Sequence, residues 1–277
     1  MSVSLKAALV QMQVQPKTCD SLALAESFIK KASAAGADLV LLPEMFCCPY
    51  QNKNFPLYAQ REGEEIWLEL SRMAREQNLI LAAGSVPERD EDGKIYNTAY
   101  VFDRQGNQIA KHRKMHLFDI DVSGGQSFRE SDTLTAGNSI TTFDTEFGVM
   151  GLCICYDFRF PELSRLMVER RAKVILVPAA FNMTTGPAHW EILFRTRALD
   201  NQVFTLGAAP ARDPSSGYTS YGNSIAVSPW GDVLDRLGAD QEMLVCTLEL
   251  DRVAQVRREL PLLAHRRKDV YTLIENR

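Results

Sequence analysis

The stretch VMGLCICYDFRFPELSRLMVERRAKVILVPAAF, residues 149–181, decides the fold class of this 277-residue chain. It opens with an apolar run that predicts a buried strand, and the proline at position 161 then begins a helical pattern. A second apolar run, KVILVPAAF, predicts another strand directly after that helix. Strand, helix and strand in this order are typical of α/β proteins, in which helices pack against a sheet.

The rest of the chain repeats this alternation. Further strands are predicted in LKAALVQM, ADLVLLPE, LILAAGSV, VFTLGAAPA and EMLVCTLEL. Further helices are predicted at 21–36, 64–77, 188–202 and 253–259, and hairpins are predicted to turn at 104–107 and 229–232. The first of these helices has Asp20 or Ser21 as its expected N-cap. No linker or break in composition interrupts the pattern, so we predict one α/β domain with mixed sheets over residues 1–277.

Composition and charge argue against several classes of protein. A net charge of -4 gives no general attraction to nucleic acid or to anionic lipid. No apolar stretch reaches the roughly eighteen residues of a spanning helix, and the start of the chain lacks the pattern of a signal peptide. Among the six cysteines, the adjacent pair and the i,i+2 pair have poor geometry for a local disulfide, and the absence of Cys-x-x-Cys argues against structural zinc. We therefore expect a cytoplasmic protein without nucleic-acid or membrane partners.

Three polar residues follow predicted strands, at the edge of the sheet where ligands bind in α/β proteins. Glu44 ends LVLLPE, Lys114 ends KHRK, and Cys155 ends the first strand of the opening stretch. Taken singly, each has an ordinary explanation as a loop acid, a solvated basic run or a buried core thiol. Together they form a chemical unit, because a thiol is nucleophilic only as the thiolate, which a base and a cation help to generate.

That unit predicts hydrolysis of an amide-like carbon–nitrogen bond through a thioester. In this scheme Glu44 accepts the thiol proton, passes it to the leaving amine and later activates water. Lys114 and the backbone N–H of Tyr156, the residue after the nucleophile, stabilise the oxyanion of the tetrahedral intermediate. The reaction needs a small-molecule amide as substrate, and we expect neither a metal nor an organic cofactor.

The same residues carry a resemblance to a known family. LLPEMF, KHRKMHLFD and GLCICYDFRFPEL resemble the Glu, Lys and Cys motifs of the nitrilase superfamily of carbon–nitrogen hydrolases, in the same order and at similar spacing. The resemblance implies that Glu44, Lys114 and Cys155 have the roles given above. It adds Glu130, in SFRES, as a second glutamate that steadies the lysine and the substrate. It also implies a four-layer α-β-β-α sandwich with two mixed sheets, and a homodimer formed through helices.

Three other segments refine the expected substrate. HLFDIDVSGGQSFRES, AFNMTTGPAHWE and RALDNQVF are similar to the branch that contains omega-amidases, which hydrolyse the terminal amide of 2-oxoglutaramate and 2-oxosuccinamate. Deaminated-glutathione amidases share much of YDFRFPELS and TGPAHWE, so that substrate stays open. N-carbamoyl-amine amidohydrolases and nitrilases use the same catalytic residues. An inactive hydrolase kept as a binding protein is the non-enzymatic alternative, but it is expected to have lost one of those residues.

A substrate that ends in a carboxylate needs a cationic or N–H-rich partner. Arg159 lies four residues after the nucleophile, and Thr185 is a possible cap at the N-terminus of a predicted helix, where anions bind well. The resemblance likewise places the carboxylate near Arg159, Thr185 and the backbone of Phe181. The alternative for Arg159 is a structural salt bridge with Asp157 or Glu162.

Histidines offer one competing mechanism. His189 in GPAHWE could pair with the nucleophilic cysteine, since histidine is the usual partner of cysteine in hydrolases. His112 and His116 flank the candidate lysine, and we interpret them as solvated loop residues rather than ligands. Residues 47–61 and 210–221, which are rich in turn-forming and polar residues, are the expected walls or lids of the pocket.

Overall fold

The computed structural model describes residues 3–276, so positions 1, 2 and 277 of the predicted domain lie outside the described residues. The strands are β1 (Ser4–Gln11), β2 (Leu39–Leu41), β3 (Ile80–Arg89), β4 (Ile95–Phe102), β5 (Gln108–Arg113), β6 (Asp119–Asp121), β7 (Ser127–Arg129), β8 (Thr141–Thr145), β9 (Gly148–Leu152), β10 (Val174–Pro178), β11 (Phe204–Ala208), β12 (Ile225–Val227), β13 (Val233–Arg236) and β14 (Glu242–Glu249). The α-helices are α1 (Thr18–Ala34), α2 (Phe55–Tyr58), α3 (Glu65–Gln77), α4 (Pro161–Glu169), α5 (Gly186–Asn201) and α6 (Asp251–Glu259).

Twelve of these strands form two six-stranded sheets. The first sheet has the order β14-β1-β2-β3-β4-β5, and the second has the order β13-β12-β11-β10-β9-β8. In each sheet the three central strands, β1-β2-β3 or β9-β10-β11, are parallel and their outer neighbours are antiparallel. The prediction of an α/β fold with mixed sheets is therefore confirmed.

The alternation of side chains along β1 shows how the layers pack. Leu5, Ala7 and Leu9 belong to a buried cluster that also contains residues of β9, β10, α4 and α5. Ala8 and Val10 point the other way and pack in a second cluster with the buried faces of α1 and α3. Burying one leucine-sized side chain stabilises the fold by roughly 1.5–3 kcal/mol, so these layers form a rigid frame. Their order is helix, sheet, sheet, helix, as the resemblance implied.

The N-terminus of α1 differs from the prediction. The helix begins at Thr18 after Lys17 as N-cap, and neither Asp20 nor Ser21 caps it. The Ser21 hydroxyl instead accepts a hydrogen bond from the backbone N–H of Gln15 at 3.0 Å, so it anchors the segment that enters the helix. Asp20 lies in the first turn, where a carboxylate still interacts favourably with the helix dipole.

Two further differences position the functional side chains. β9 ends at Leu152, and a 3-10 helix of Cys155–Arg159 follows, so the predicted strand is three residues too long. The small antiparallel hairpin of β6 and β7 was not predicted, and it leads into a second 3-10 helix, Glu130–Asp132. Within residues 3–276, no helix combines the length and apolarity needed to cross a membrane.

Candidate active site

The structure brings Glu44, Lys114, Glu130 and Cys155 into one buried cluster. The three charged residues are 0 % exposed and Cys155 is 5 % exposed. The ammonium Nζ of Lys114 lies 2.9 Å from Glu44 Oε1 and 3.0 Å from the Glu130 carboxylate. The Cys155 thiol lies close enough to Glu44 for the carboxylate to act on its pKa. The three residues found at strand ends, and the glutamate implied by resemblance, therefore lie in direct contact as two acids, one cation and one thiol.

Glu44 is held by a tight turn after β2. Met45 adopts a left-handed conformation with φ 51°, and its N–H donates to the hydroxyl of Ser85 at 3.0 Å. Gly84 lies against the same turn, because a Cβ at that position would sit only 2.1 Å from the carbonyl oxygen of Pro43. Gly84 and Ser85 lie at the irregularity in the pairing of β3 with β4. The bulged strand leaves space there for the turn that carries Glu44.

The basic run KHRK divides between two environments. Side chains alternate along a strand, and Lys111 and Arg113 of β5 form salt bridges with the buried carboxylate of Glu88. His112 and Lys114 point inward and are fully buried. Burial opposes the charge of Lys114, but the neighbouring carboxylates outweigh it and raise its pKa, so the group is a permanent cation. The solvated-face explanation of this lysine is wrong.

Cys155 occupies a sharp turn between β9 and its 3-10 helix. Its φ of 47° is left-handed, a strained conformation for a non-glycine residue and typical of a nucleophile that must project from a turn. Burial, and then the charge of Glu44, raise the pKa of the thiol, while Lys114 opposes them. Tyr156 lies in the first helical turn, where backbone N–H groups have no carbonyl partner within the helix.

Asp157 holds the lysine segment against the cysteine turn. Its Oδ1 accepts the backbone N–H groups of Met115 and His116 at 3.1 and 2.8 Å, together with the His116 ring at 2.8 Å. Its Oδ2 accepts the N–H of Ile154 and contacts the His112 ring at 3.0 Å. Burial alone would raise the pKa of Asp157, but the two histidines lower it. The prediction of solvated histidines was wrong, because both are tied to this carboxylate.

Tyr50 and Asn97 are further neighbours that the sequence did not reveal. The Tyr50 hydroxyl donates to Glu130 and lies 3.3 Å from Glu44 Oε1. The Asn97 side-chain amide donates to the same Glu44 oxygen at 2.8 Å. Neither residue lies next to a motif at the end of a predicted strand. Their position beside Glu44 becomes visible only when distant segments pair in the fold.

Arg159 shares a cavity of about 160 Å³ with Cys155. The lining residues are Phe118, Cys155, Tyr156, Arg159, Ala180, Phe181 and Thr185. The guanidinium lies 4.5 Å from the centre of the Phe181 ring, and its buried Nε has no hydrogen-bond partner among the described residues. In the described part of the chain it forms no salt bridge, so the predicted alternative of an ion pair with Asp157 or Glu162 is wrong. Burial lowers the pKa of Arg159.

Thr185 and His189 differ from their predicted roles. The Thr185 hydroxyl donates to Asn182 Oδ1 at 3.0 Å and makes no capping bond to α5. Asn182 Oδ1 also accepts the N–H groups of Thr184 and Thr185, because the short amide side chain folds back onto its own turn. His189 is exposed, and its Nδ1 lies 3.1 Å from Arg159 Nη1. The proposed partner of the cysteine is therefore directed at the arginine instead.

A second cavity of about 490 Å³ adjoins Glu44. It is lined mainly by residues 45–51 and 210–220, which include Tyr50, Tyr218 and Ser220. The rings of Tyr50 and Tyr218 lie 4.6 Å apart, and the Tyr218 hydroxyl donates to the backbone carbonyl of Ala180. Parts of both stretches expected to form walls thus surround the buried cluster.

Comparisons with known proteins identify relatives over nearly the whole chain. The family model described as carbon-nitrogen hydrolase matches residues 6–258. The omega-amidase NIT2 of Mus musculus is 46% identical over 266 residues, which cover 96% of each chain. The omega-amidase NIT2 of Homo sapiens is 44% identical over 270 residues, 98% of each chain.

Solved structures agree with this similarity. Saccharomyces cerevisiae Nit3, described as a member of branch 10 of the nitrilase superfamily, superposes with a TM-score of 0.88 at 38% identity and covers 95% of this chain and 97% of its own. A mutant amidase of Nesterenkonia sp. AN1, with an acetamide moiety added covalently at its active-site cysteine, has a TM-score of 0.79 at 26% identity. That match covers 96% of this chain and 95% of the amidase.

Proposed function

This chain belongs to the carbon–nitrogen hydrolase family of the nitrilase superfamily, and from that premise we propose that it is an omega-amidase. Its substrates are the terminal amides of small keto-dicarboxylic acids, 2-oxoglutaramate and 2-oxosuccinamate, and its products are the keto acid and ammonia. The similarity to omega-amidases supports this assignment. The observation that carries it is Arg159, a largely buried cation without a carboxylate partner in the described chain, placed in the same cavity as Cys155.

The first half of the reaction forms a thioester. Glu44 takes the proton of the Cys155 thiol, and the sulfur attacks the amide carbon of the substrate. The carbonyl oxygen becomes an oxyanion stabilised by the ammonium of Lys114 and the N–H of Tyr156. Glu44 returns the proton to the amide nitrogen, the carbon–nitrogen bond breaks, and ammonia leaves. Burial raises the pKa of Glu44, which makes it a stronger base than an exposed glutamate.

The second half of the reaction is hydrolysis of that thioester. Glu44 removes a proton from water, the resulting oxygen attacks the thioester carbon, and the same two donors stabilise the second oxyanion. The carbon–sulfur bond then breaks, and the Cys155 thiolate recovers its proton from Glu44. Glu130 accepts a hydrogen bond from Lys114 and keeps the ammonium directed at the reacting carbon. No step needs a cofactor.

Binding of the far carboxylate determines which amides react. The guanidinium of Arg159, the Thr185 side chain and the backbone of Phe181 form its site in this proposal. A guanidinium that has already lost its water, and has no anion beside it, gains more from an added carboxylate than an exposed arginine does. The cation over the Phe181 ring is held in place before substrate arrives.

The larger cavity beside Glu44 favours a second candidate substrate. Deaminated glutathione has the same five-carbon keto-acyl group on a larger leaving amine, and that amine would extend toward the cavity between the two loop stretches. The reaction at Cys155 is the same in both cases. The two assignments therefore differ only in which leaving amine the pocket accepts, ammonia or a dipeptide.

We also propose that residues 1–277 form a single domain that works as a cytoplasmic homodimer. Side chains of Ile192 and Leu199 on α5, Trp230, and Leu234 on β13 are apolar and exposed, which supports burial against a second copy. All six cysteines have free thiols, which supports a reducing compartment. Sedimentation at several concentrations tests the dimer, and a mass of one chain throughout would contradict it.

The test of the function is release of the leaving amine, which is ammonia from 2-oxoglutaramate and 2-oxosuccinamate and a dipeptide from deaminated glutathione, with Cys155→Ala protein as the blank. We expect kcat/KM for the keto-amides to exceed that for deaminated glutathione by about a hundredfold, or about 2.7 kcal/mol of transition-state preference. The reverse order would assign the enzyme to deaminated glutathione. Release that persists in the Cys155→Ala protein would overturn the nucleophile.

A further inference from the structure

We propose that Asn97 is a positioning residue of the reaction: its side chain fixes which oxygen of Glu44 meets the Cys155 thiol, and its backbone fixes Lys114. The inference rests on the proposed function, because it takes Glu44 as the base. Asn97 touches neither the nucleophile nor the cavity of Arg159, so it acts through other residues.

The contacts of Asn97 join two catalytic groups. It lies on β4, is 0 % exposed, and interrupts an otherwise mostly apolar and aromatic run, IYNTAYVF. Its side-chain Nδ2 donates to Glu44 Oε1 at 2.8 Å. Its backbone carbonyl accepts the N–H of Lys114 at 2.8 Å, at the point where the chain leaves β5. Asn97 thus sets both the orientation of the Glu44 carboxylate and the position of the Lys114 backbone.

The two oxygens of Glu44 are used unequally. Oε1 receives hydrogen bonds from Asn97 and from Lys114 at 2.9 Å, and the Tyr50 hydroxyl lies 3.3 Å away. Oε2 is buried and accepts no hydrogen bond from residues 3–276. The Cys155 thiol also interacts with Glu44. Because one carboxylate oxygen has only two lone pairs in its plane, Oε1 is saturated and Oε2 remains to take the thiol proton.

Asn97 does not titrate, unlike the other groups of the described chain that face Glu44. The others are Lys114, Glu130, Tyr50 and Cys155. If Asn97 were absent, Lys114 could approach either oxygen of Glu44, because an ammonium is a compact cation with three freely rotating donors. The planar amide of Asn97 is held on a rigid strand, so its N–H group donates in one fixed direction. This direction selects the rotamer of Glu44. Removing it frees the carboxylate to turn and withdraws a hydrogen bond from its charged form.

Loss of the Asn97 amide should affect the pH dependence of the reaction rather than the binding of substrate. Without the amide, the pKa of Glu44 rises further above its ordinary value, since a hydrogen bond that favours the charged form is gone. Activity needs ionised Glu44 and is lost as the pH falls through that pKa, so the acid limb of the pH profile moves upward. The expected shift is about one pH unit, the equivalent of one hydrogen bond to a charged group. KM should change little.

The experiment compares Asn97→Ala and Asn97→Asp with Thr98→Val as the matched control. Thr98 is the next residue of the same strand, is equally buried, and donates to another buried carboxylate, Glu88 Oε2, at 2.6 Å. Two rates are measured between pH 5 and 9, namely kcat/KM for 2-oxoglutaramate and the alkylation of Cys155 by iodoacetamide. Melting temperatures of all variants record folding.

We expect Asn97→Ala to lower kcat about ten- to a hundredfold and to move the acid limb of both profiles upward by about one unit. Asn97→Asp should do more, because its carboxylate also repels Glu44. Thr98→Val should leave both profiles in place. Unshifted profiles in folded Asn97 variants, or an equal shift in Thr98→Val, would overturn the inference. The alkylation profile needs no substrate, so a wrong substrate assignment leaves this result readable.

Discussion

The carboxylate of Asp157 lies 3.0 Å from the imidazole of His112, and this buried contact joins the two sheets beside the nucleophile. His112 is part of β5 in the first sheet, whereas Asp157 follows β9 of the second sheet. Strand β5 also neighbours β8, which strengthens the junction. The relative position of Lys114 and Cys155 therefore depends on a hydrogen-bonded carboxylate as well as on apolar packing.

Asp157→Asn should destabilise the protein by about 3 kcal/mol or more, because one amide cannot accept the five hydrogen bonds that the buried carboxylate accepts. The native pKa of Asp157 lies below its ordinary value, so its contribution is present above the unfolded pKa and is lost as the pH falls through the native one. Urea unfolding from pH 7 down to pH 3 measures this. An unchanged midpoint in the variant would contradict the role of Asp157.

Lys114→Ala should leave two buried carboxylates without their cation and cost about 3–5 kcal/mol at pH 7. Burial already raises the pKa of Glu44, so this acid can relieve the repulsion by taking up a proton, and the variant should lose less stability at pH 5 than at pH 8. Urea unfolding at these two pH values provides the measurement. Lys111→Ala is the control, because that lysine is partly exposed and pairs with Glu88, which keeps Arg113. Equal losses at both pH values would argue against the coupling.

Arg159→Ala should raise KM for 2-oxoglutaramate by about a hundredfold, because a charged hydrogen bond contributes about 1.5–3 kcal/mol. A neutral amide of similar length has no carboxylate to lose and should be hydrolysed equally well by both proteins. The melting temperature should change little, since Arg159 forms no salt bridge within residues 3–276. A large loss of melting temperature with KM unchanged would assign the arginine to the fold alone.

Gly84→Ala tests the turn that carries Glu44. The added Cβ would lie 2.1 Å from the Pro43 carbonyl oxygen, so either β3 or the turn must move. We expect a loss of about 1–3 kcal/mol of stability and a loss of kcat, measured by thermal unfolding and steady-state kinetics. Gly238→Ala is the control, because a Cβ there meets nothing within 4 Å. Equal behaviour of the two variants would show that the turn tolerates displacement.

The sequence predicted the framework well because apolar periodicity is a local property. It placed Glu44, Lys114 and Cys155 by the rule that ligands meet strand ends, although Cys155 follows its strand at a distance of three residues. Glu130 came only from resemblance, since it follows a three-residue strand that has no apolar alternation.

The errors had a common cause. A basic run predicts a solvated face, but alternation along β5 sends His112 and Lys114 inward and leaves Lys111 and Arg113 toward the surface. Asn97 shows the same limit, because its partner Glu44 lies 53 positions away in the chain. Such contacts depend on strand pairing and packing between sheets, which no short window of sequence contains.

The proposed catalytic unit is divided between the two sheets. Glu44 and Lys114 follow strands of the first, and Cys155 follows a strand of the second. A partly folded chain with only the first sheet formed has Glu44 and Lys114 but no thiol beside them, and one with only the second sheet has Cys155 alone. In neither case does the proposed base lie beside the proposed nucleophile. During refolding, the return of amide hydrolysis therefore reports the docking of the two sheets, whereas circular dichroism reports the formation of secondary structure.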